Sequence, residues 1–268
     1  MVKHGQEYKE LLARIEDCIE QAEKGMLSYT KFLSPAEGFC AKEILLFKGL
    51  MKRACFLGGY VDAERTRLVV LPSYLDGIDK DAQSLLSEYF PDDADELVRV
   101  IKITGSGYKT LSHRDYLGAI LGLGVERDAL GDIVTLDDFT AYAFVSDAIA
   151  RLMLDSLTFI GSDKVKLQKI RLDGDLGFER KLLRLTDTVA SARFDCVVAS
   201  LANASREKAQ SCIGGGLCLL NYFEETRCDA TVRAGDIITV RGYGKFIVRE
   251  LDEKTKKGRL RLIFDKYV

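Results

Sequence analysis

Histidine is scarce in this chain: His4 and His113 are the only two among 268 residues. Its seven cysteines, at positions 18, 40, 55, 196, 212, 218 and 228, form no Cys-x-x-Cys pair. Zinc sites draw on clustered thiolates and imidazoles, so this inventory argues against a metal, and no cofactor is expected either. No apolar run approaches the length that spans a bilayer, and the start, Met-Val-Lys-His-Gly-Gln-Glu, has no apolar signal core. An odd number of thiols in mostly apolar surroundings fits a reducing compartment, so a cytoplasmic protein without membrane contact is expected. Excess positive charge is missing too. The net charge of −2 and pI near 5.9 exclude a non-specific nucleic-acid coat, which would be strongly basic. Internal repeats and low-complexity tracts are absent.

Catalytic signatures are equally incomplete. His113-Arg114-Asp115 has the look of a kinase catalytic loop, but that loop needs asparagine where Ile120 stands, and no Asp-Phe-Gly follows. Gly105-Ser106-Gly107-Tyr108-Lys109-Thr110 lacks the spacing of a phosphate loop. Asp173-Gly174-Asp175 supplies too few oxygens in register for an EF-hand, and no nucleophile elbow supports a serine triad. A structural role is the better reading of each, and the chain is expected not to be an enzyme.

What is present is an ordinary folding composition, 47% hydrophobic and 30% charged, long enough for one large domain or two to three small ones. Charge is divided unevenly. From Thr186 onward there are 14 Lys and Arg against 11 Asp and Glu, while residues 1–185 carry 25 against 30. Tyr8, Leu11, Leu12, Ile15, Ile19 and Ala22 recur at helical spacing up to Gly25. Ser34-Pro35-Ala36-Glu37 is a capping box that predicts a helix to about residue 51, with strands expected at 54–61 and 67–75. These form a small α+β module at 1–75. After a helix at 79–90, the pattern reads strand 97–104, helix 113–123, strands 132–136 and 139–145, helix 147–159 and strand 164–170. That β-α-β-β-α-β order predicts a ferredoxin-like or RRM-like middle domain at 76–172. A connector rich in glycine and charge begins a linker at 173–185, ahead of a C-terminal domain at 186–268. There two short helices, beginning at Arg193 and Ser205, precede strands at 217–221, 237–240, 245–251 and 259–264. The fold class is α+β.

The cations at element ends carry the functional signal. Ser205 caps a helix with Arg206 and Lys208 in its first turn, where free amides and the helix dipole already favour a phosphate. Arg193, Arg206, Lys208 and Gln210 are placed to converge on phosphates and riboses. Arg241-Gly242-Tyr243-Gly244-Lys245 puts a basic–aromatic pair on a glycine-flexed strand end, suited to an unpaired base. Lys109, His113 and Arg114 form a secondary candidate, weighed evenly against neutralisation of Arg114 by Asp115. Tyr142 and Phe144 share a face of one strand as in an RRM stacking motif, but the preceding basic–glycine pair is replaced by Thr140-Ala141, and packing is the favoured role.

Arg193-Phe194-Asp195, Ser205-Arg206-Glu207-Lys208-Ala209-Gln210, Gly216-Leu217, Asn221 and Gly235-Asp236-Ile237 resemble the S-four RNA-binding domain. Asn221-Tyr222 stands where that domain usually has Asn-Gly, so a more open hairpin is expected. With Gly58-Gly59-Tyr60, Ala63-Glu64-Arg65, Arg67, His113 to Ala119, Arg127, Gly131-Asp132-Ile133 and Arg241-Gly242-Tyr243-Gly244, the chain resembles the YlmH family over nearly its whole length. The resemblance implies a ribosome-associated RNA-binding factor, and a monomer is expected. Its partners would be large-subunit rRNA and tRNA, and its role ribosome-associated quality control of stalled large subunits. An RNA-modifying enzyme using the S-four domain for delivery is one alternative. A protein-interaction adaptor linked to cell division or photosystem assembly is the other.

Overall fold

The computed structural model describes residues 6–171, 182–254 and 258–267. They belong to two compact units that divide near residue 178. His4, the expected connector at 173–177 and residues 255–257 of the expected hairpin turn at 253–258 lie outside the described residues.

In the first unit, α1 (Gln6–Glu23) buries Leu11, Ile15, Cys18 and Ala22, one face of a 3.6-residue repeat. Gly25 follows in the left-handed conformation. Strand β1 (Ser28–Leu33), which the sequence reading missed, leads to α2 (Pro35–Phe47). Helix α2 opens on the expected capping box: the Glu37 amide donates to Ser34 Oγ, and the Ser34 amide donates to the Glu37 carboxylate at 2.8 Å. It stops short of residue 51 because Gly49 turns left-handed and the Leu50 amide closes back on the Leu45 carbonyl. β2 (Ala54–Leu57) and β3 (Thr66–Val70) complete an antiparallel sheet of order β1-β3-β2. Then α3 (Ala82–Tyr89) is capped by Asp81, and α4 (Pro91–Leu97) begins on a proline.

The middle of the chain folds as β4 (Arg99–Thr104), α5 (His113–Leu121), β5 (Leu130–Thr135), β6 (Thr140–Val145) and α6 (Asp147–Ser156). A small hairpin, β7 (Phe159–Ile160) and β8 (Asp163–Lys164), precedes β9 (Lys166–Ile170). The sheet order β5-β6-β4-β9, with every pairing antiparallel, is that of a ferredoxin-like fold. Ile101, Ile103, Ala141, Ala143 and Val145 lie under α5 and α6 with Tyr116, Ile120, Ala150 and Met153. Val100, Tyr142 and Phe144 point the other way, into a second core shared with Phe32, Val69, Leu71, Leu85 and Leu86. The apolar core thus continues from the elements before residue 75 into the middle sheet.

That junction is polar at its rim. Asp132 accepts from Tyr60 Oη at 2.8 Å, from the Glu64 amide at 2.7 Å and from the Arg65 amide at 3.2 Å. Arg65 donates in turn to the carbonyls of Leu130 and Arg127. Gly59 (φ 90°) passes so near Phe144 that a Cβ there would lie 2.5 Å from Cδ1. A Cβ on Gly131 would lie 2.8 Å from the Phe32 ring.

The second unit contains β10 (Leu182–Val189), α7 (Phe194–Leu201), α8 (Arg206–Gly214), β11 (Cys218–Leu220) and β12 (Phe223–Glu224). It ends with β13 (Ile237–Val240), β14 (Gly244–Lys254) and β15 (Leu260–Tyr267), in a sheet of order β10-β15-β14-β13-β11-β12. Val197, Val198 and Leu201 of α7 and Ala209, Cys212 and Ile213 of α8 bury against Ile238, Val240, Phe246, Val248, Leu262 and Phe264, all on one face of the sheet. The turn expected to be open is tight. Leu220 pairs with Phe223, leaving only Asn221 and Tyr222 in the loop with φ of 50° and 71°. This is the doubly left-handed turn that matches strand twist. Asn221 is fixed there by its amide on Asp236 at 2.8 Å and by the Ile237 amide on its own oxygen at 2.9 Å.

Candidate nucleic-acid interface

Asp195 organises the strongest cluster of candidate residues. It sits in the first turn of α7 and is fully buried. Arg193, the residue that caps α7, donates to it through Nε at 3.2 Å. Arg206, at the start of α8, donates through Nε at 3.0 Å and NH2 at 2.9 Å, and Gln210, one turn on, through Nε2 at 2.9 Å. Burial alone would raise the Asp195 carboxyl, but the hydrogen bonds from Arg193, Gln210 and Arg206, with the Arg206 charge, hold it well below the usual carboxylate range. Two guanidiniums around one carboxylate leave a net positive group. Both remain about half exposed, with side-chain exposures of 44% and 54%. Their spare N–H groups are aimed by the clamp rather than free to wander.

Arg193, Arg206 and Gln210 are therefore brought together, around an acid to which the sequence reading gave no role. The signal for it was present: an aspartate two residues after Arg193, inside the first helical turn, where a carboxylate suits the helix dipole. Ser205 accepts from the Lys208 amide at 3.2 Å and so caps α8 as expected. Lys208 itself is exposed. Arg206 also lines a cleft of ≈ 370 Å³ with Asp187, Ser200, Asn203 and Arg259.

The Arg241 group lies elsewhere. The Arg241 amide donates to the Leu217 carbonyl, and the Leu217 amide donates to Cys212 near the C-terminal end of α8. The nine residues of α8 put about 13 Å between that end and Arg206. Arg241 is exposed, Tyr243 packs partly against the core, and Lys245 points to the opposite face of the sheet from Phe246. Its Nζ lies 4.9 Å from the ring centres of both Tyr222 and Tyr267.

In the first unit, Lys109, His113 and Arg114 are all exposed around the start of α5. The Asp115 carboxylate accepts from the Ser112 amide at 2.8 Å and hydroxyl at 2.6 Å, so it serves the helix cap. Hydrogen bonding to Ser112, with the nearby Lys109 charge, lowers its pKa. The loop leading to them is pinned by Asp163, which accepts from the Ser106 amide at 3.1 Å and from its hydroxyl. Tyr142 and Phe144 are core: they are 8% and 0% exposed, and the Tyr60 ring lies 4.8 Å from Phe144. The sheet face with which an RRM stacks bases is covered at these positions by the chain's own N-terminal residues. Among the described residues, no group of His, Cys, Asp and Glu is arranged to hold a metal, and no helix is long and apolar enough to cross a membrane.

An α+β chain with a ferredoxin-like sheet and an arginine clamp is the setting in which the comparisons with known proteins stand. Residues 91–174 match the family model described as the putative RNA-binding domain in YlmH. The chain is also 30% identical over 249 residues to the ribosome-associated protein quality control protein P2 of Bacillus subtilis (strain 168), an alignment covering 91% of this chain and 89% of that one. It belongs to the YlmH family. A solved structure, the cell division protein ylmH from Streptococcus pneumoniae, is 21% identical with a TM-score of 0.49, covering 64% of this chain and 96% of that one.

Proposed function

We propose that this protein is a non-enzymatic RNA-binding factor that acts on the ribosome, gripping large-subunit rRNA and tRNA in the quality control of stalled large subunits. The observation that carries the reading is the clamp on Asp195, which presents two partly exposed, oriented guanidiniums at the starts of two adjacent helices. Such a group suits the phosphates of a shaped RNA. A C-terminal region with a net charge of only +3 cannot hold RNA by charge alone, so the recognised feature is shape rather than bulk polyanion. Ser205, Lys208 and Gln210 complete the helix-side contact, with Arg241, Tyr243 and Lys245 as a separate point of contact. The quality-control role follows the name of the Bacillus subtilis relative.

The test is co-sedimentation with purified large ribosomal subunits. Arg193→Ala combined with Arg206→Ala is expected to abolish it while circular dichroism remains that of the parent. Unchanged sedimentation would overturn the reading.

A further inference from the structure

The C-terminal unit repeats its arginine clamp on the other side of its sheet. Asp265 of β15 is 2% exposed and accepts from Arg184 of β10 through Nε at 2.9 Å and NH2 at 3.2 Å, and from Arg249 of β14 through Nε at 2.7 Å. Hydrogen bonding from Arg184 lowers the Asp265 pKa; burial opposes this, and Arg249 adds to the lowering. The arginine side chains are 68% and 39% exposed. Strand register sets what lies beside them. Arg184 is directly opposite Asp265, which is opposite Ile247. Two residues along β15 on the same face is Tyr267, and two residues back along β14 from Ile247 is Lys245, held between the rings of Tyr267 and Tyr222. The clamp and the aromatic pair are thus neighbours, about 7 Å apart along the strand. Helices α7 and α8 bury their apolar sides on the opposite face.

Register and the bond from Arg249 to Asp265 place Arg184, Lys245 and Arg249 on this face against Asp265 and Glu250, with Arg261 farther along it and Glu224 three strands across from Lys245. Excess cations next to tyrosine rings are the combination that holds single-stranded nucleic acid, with guanidiniums on phosphates and rings under bases. We propose that this face of the C-terminal sheet is a second RNA-binding surface, separate from the Asp195 clamp, and that it takes unpaired nucleotides. Arg184 and Arg249 hold the backbone, and Tyr222 and Tyr267 stack a base beside Lys245. The inference rests on the RNA-binding reading above and extends it to a surface on which the sequence reading placed only Lys245.

The full-length chain is titrated with a fluorescent single-stranded uridine-rich RNA, and ultraviolet crosslinks are mapped to peptides. Arg184→Gln with Arg249→Gln is expected to weaken binding about tenfold and to reduce the slope of log affinity against log salt by roughly 1.4, two phosphate contacts' worth. Thr186→Glu adds a negative charge on the same exposed face without removing either arginine, so it tests the surface even if the double variant folds poorly. It is expected to weaken binding several-fold. Crosslinks are expected at Tyr222 or Tyr267. Unchanged affinity in Thr186→Glu and in a folded double variant overturns the proposal, as do crosslinks confined to α7 and α8. The same holds if these variants cost the chain a protein partner but no RNA. Arg193→Ala with Arg206→Ala separates the two readings. If only that pair reduces RNA binding, the sheet surface is wrong and the factor still binds RNA; if the unaltered chain binds neither RNA nor large subunits, the broader reading fails.

Discussion

Replacing Asp195 with asparagine sets two physical effects against each other. The substitution makes the interface more positive by one charge, which by itself favours RNA. At about 7 Å in a water-like medium that charge is worth only about 0.6 kcal/mol. The same change releases Arg193 and Arg206 from a buried acceptor that currently takes both guanidiniums and the Gln210 amide. Immobilising a long side chain at binding costs about 0.5–1.5 kcal/mol, so two released arginines cost about 1–3 kcal/mol. Loss of orientation therefore wins by about 0.4–2.4 kcal/mol, and Asp195→Asn is expected to weaken binding to large subunits about 2- to 60-fold despite the added positive charge. The assay is a filter-binding or sedimentation titration at fixed salt, with hydrogen exchange in peptides from α7 and α8 confirming that the helices stay folded. Tighter binding by the variant would refute the argument that the clamp aims the arginines.

Acid should act through the same residue. The Asp195 carboxyl titrates lower in the folded chain than in the unfolded one. Its contribution to stability is therefore complete well above about pH 4 and drains away as the pH falls below that. Hydrogen exchange in α7 and α8 should accelerate from pH 4 downward, and Asp195→Asn should remove part of that dependence. Gly59→Ala forces a Cβ onto Phe144 at a left-handed position. It should cost more than about 2 kcal/mol, read as a fall in melting temperature. Tyr116 is fully buried, and its hydroxyl has no hydrogen-bond partner among the described residues. Tyr116→Phe should accordingly raise stability by about 1 kcal/mol in urea unfolding. Burial pushes the Cys55 thiol up to about 12, so it should resist maleimide at pH 8 in the native chain and react on unfolding.

Elements governed by neighbouring residues were legible in the sequence. The capping box at Ser34, the cap at Ser205 and the alternating order of the middle domain all appear where local chemistry put them. Elements that depend on a distant partner were not. Strand β1 exists because β3 lies beside it, and β10 because β15 does, across residues the sequence reading had partly given to a linker. The turn at Asn221 and Tyr222 was misjudged because its glycine is missing. The side chain of Asn221, bonded to Asp236 and Ile237, holds the left-handed backbone instead.

Capping and spacing alone put Arg193, Arg206 and Gln210 at or near helix starts, and the fold brings the three side chains together on Asp195. Which partner they serve could not be read. Asp195 is 11 residues from Arg206 and 15 from Gln210, and only the packing of α7 on α8 closes those gaps. The Asp265 clamp joins residues 81 and 16 positions apart, through strand register alone. The same holds for the middle sheet, where sequence alternation put Tyr142 and Phe144 on one face but not what covers it. By itself, then, the sequence determined the capped helices, the ferredoxin-like order and the cations at the helix starts, because caps and periodicities act over a few residues. Only the tertiary structure decided which sheet face is buried and which acid aims each pair of arginines, because burial and ion pairing depend on segments that meet only when the chain has folded.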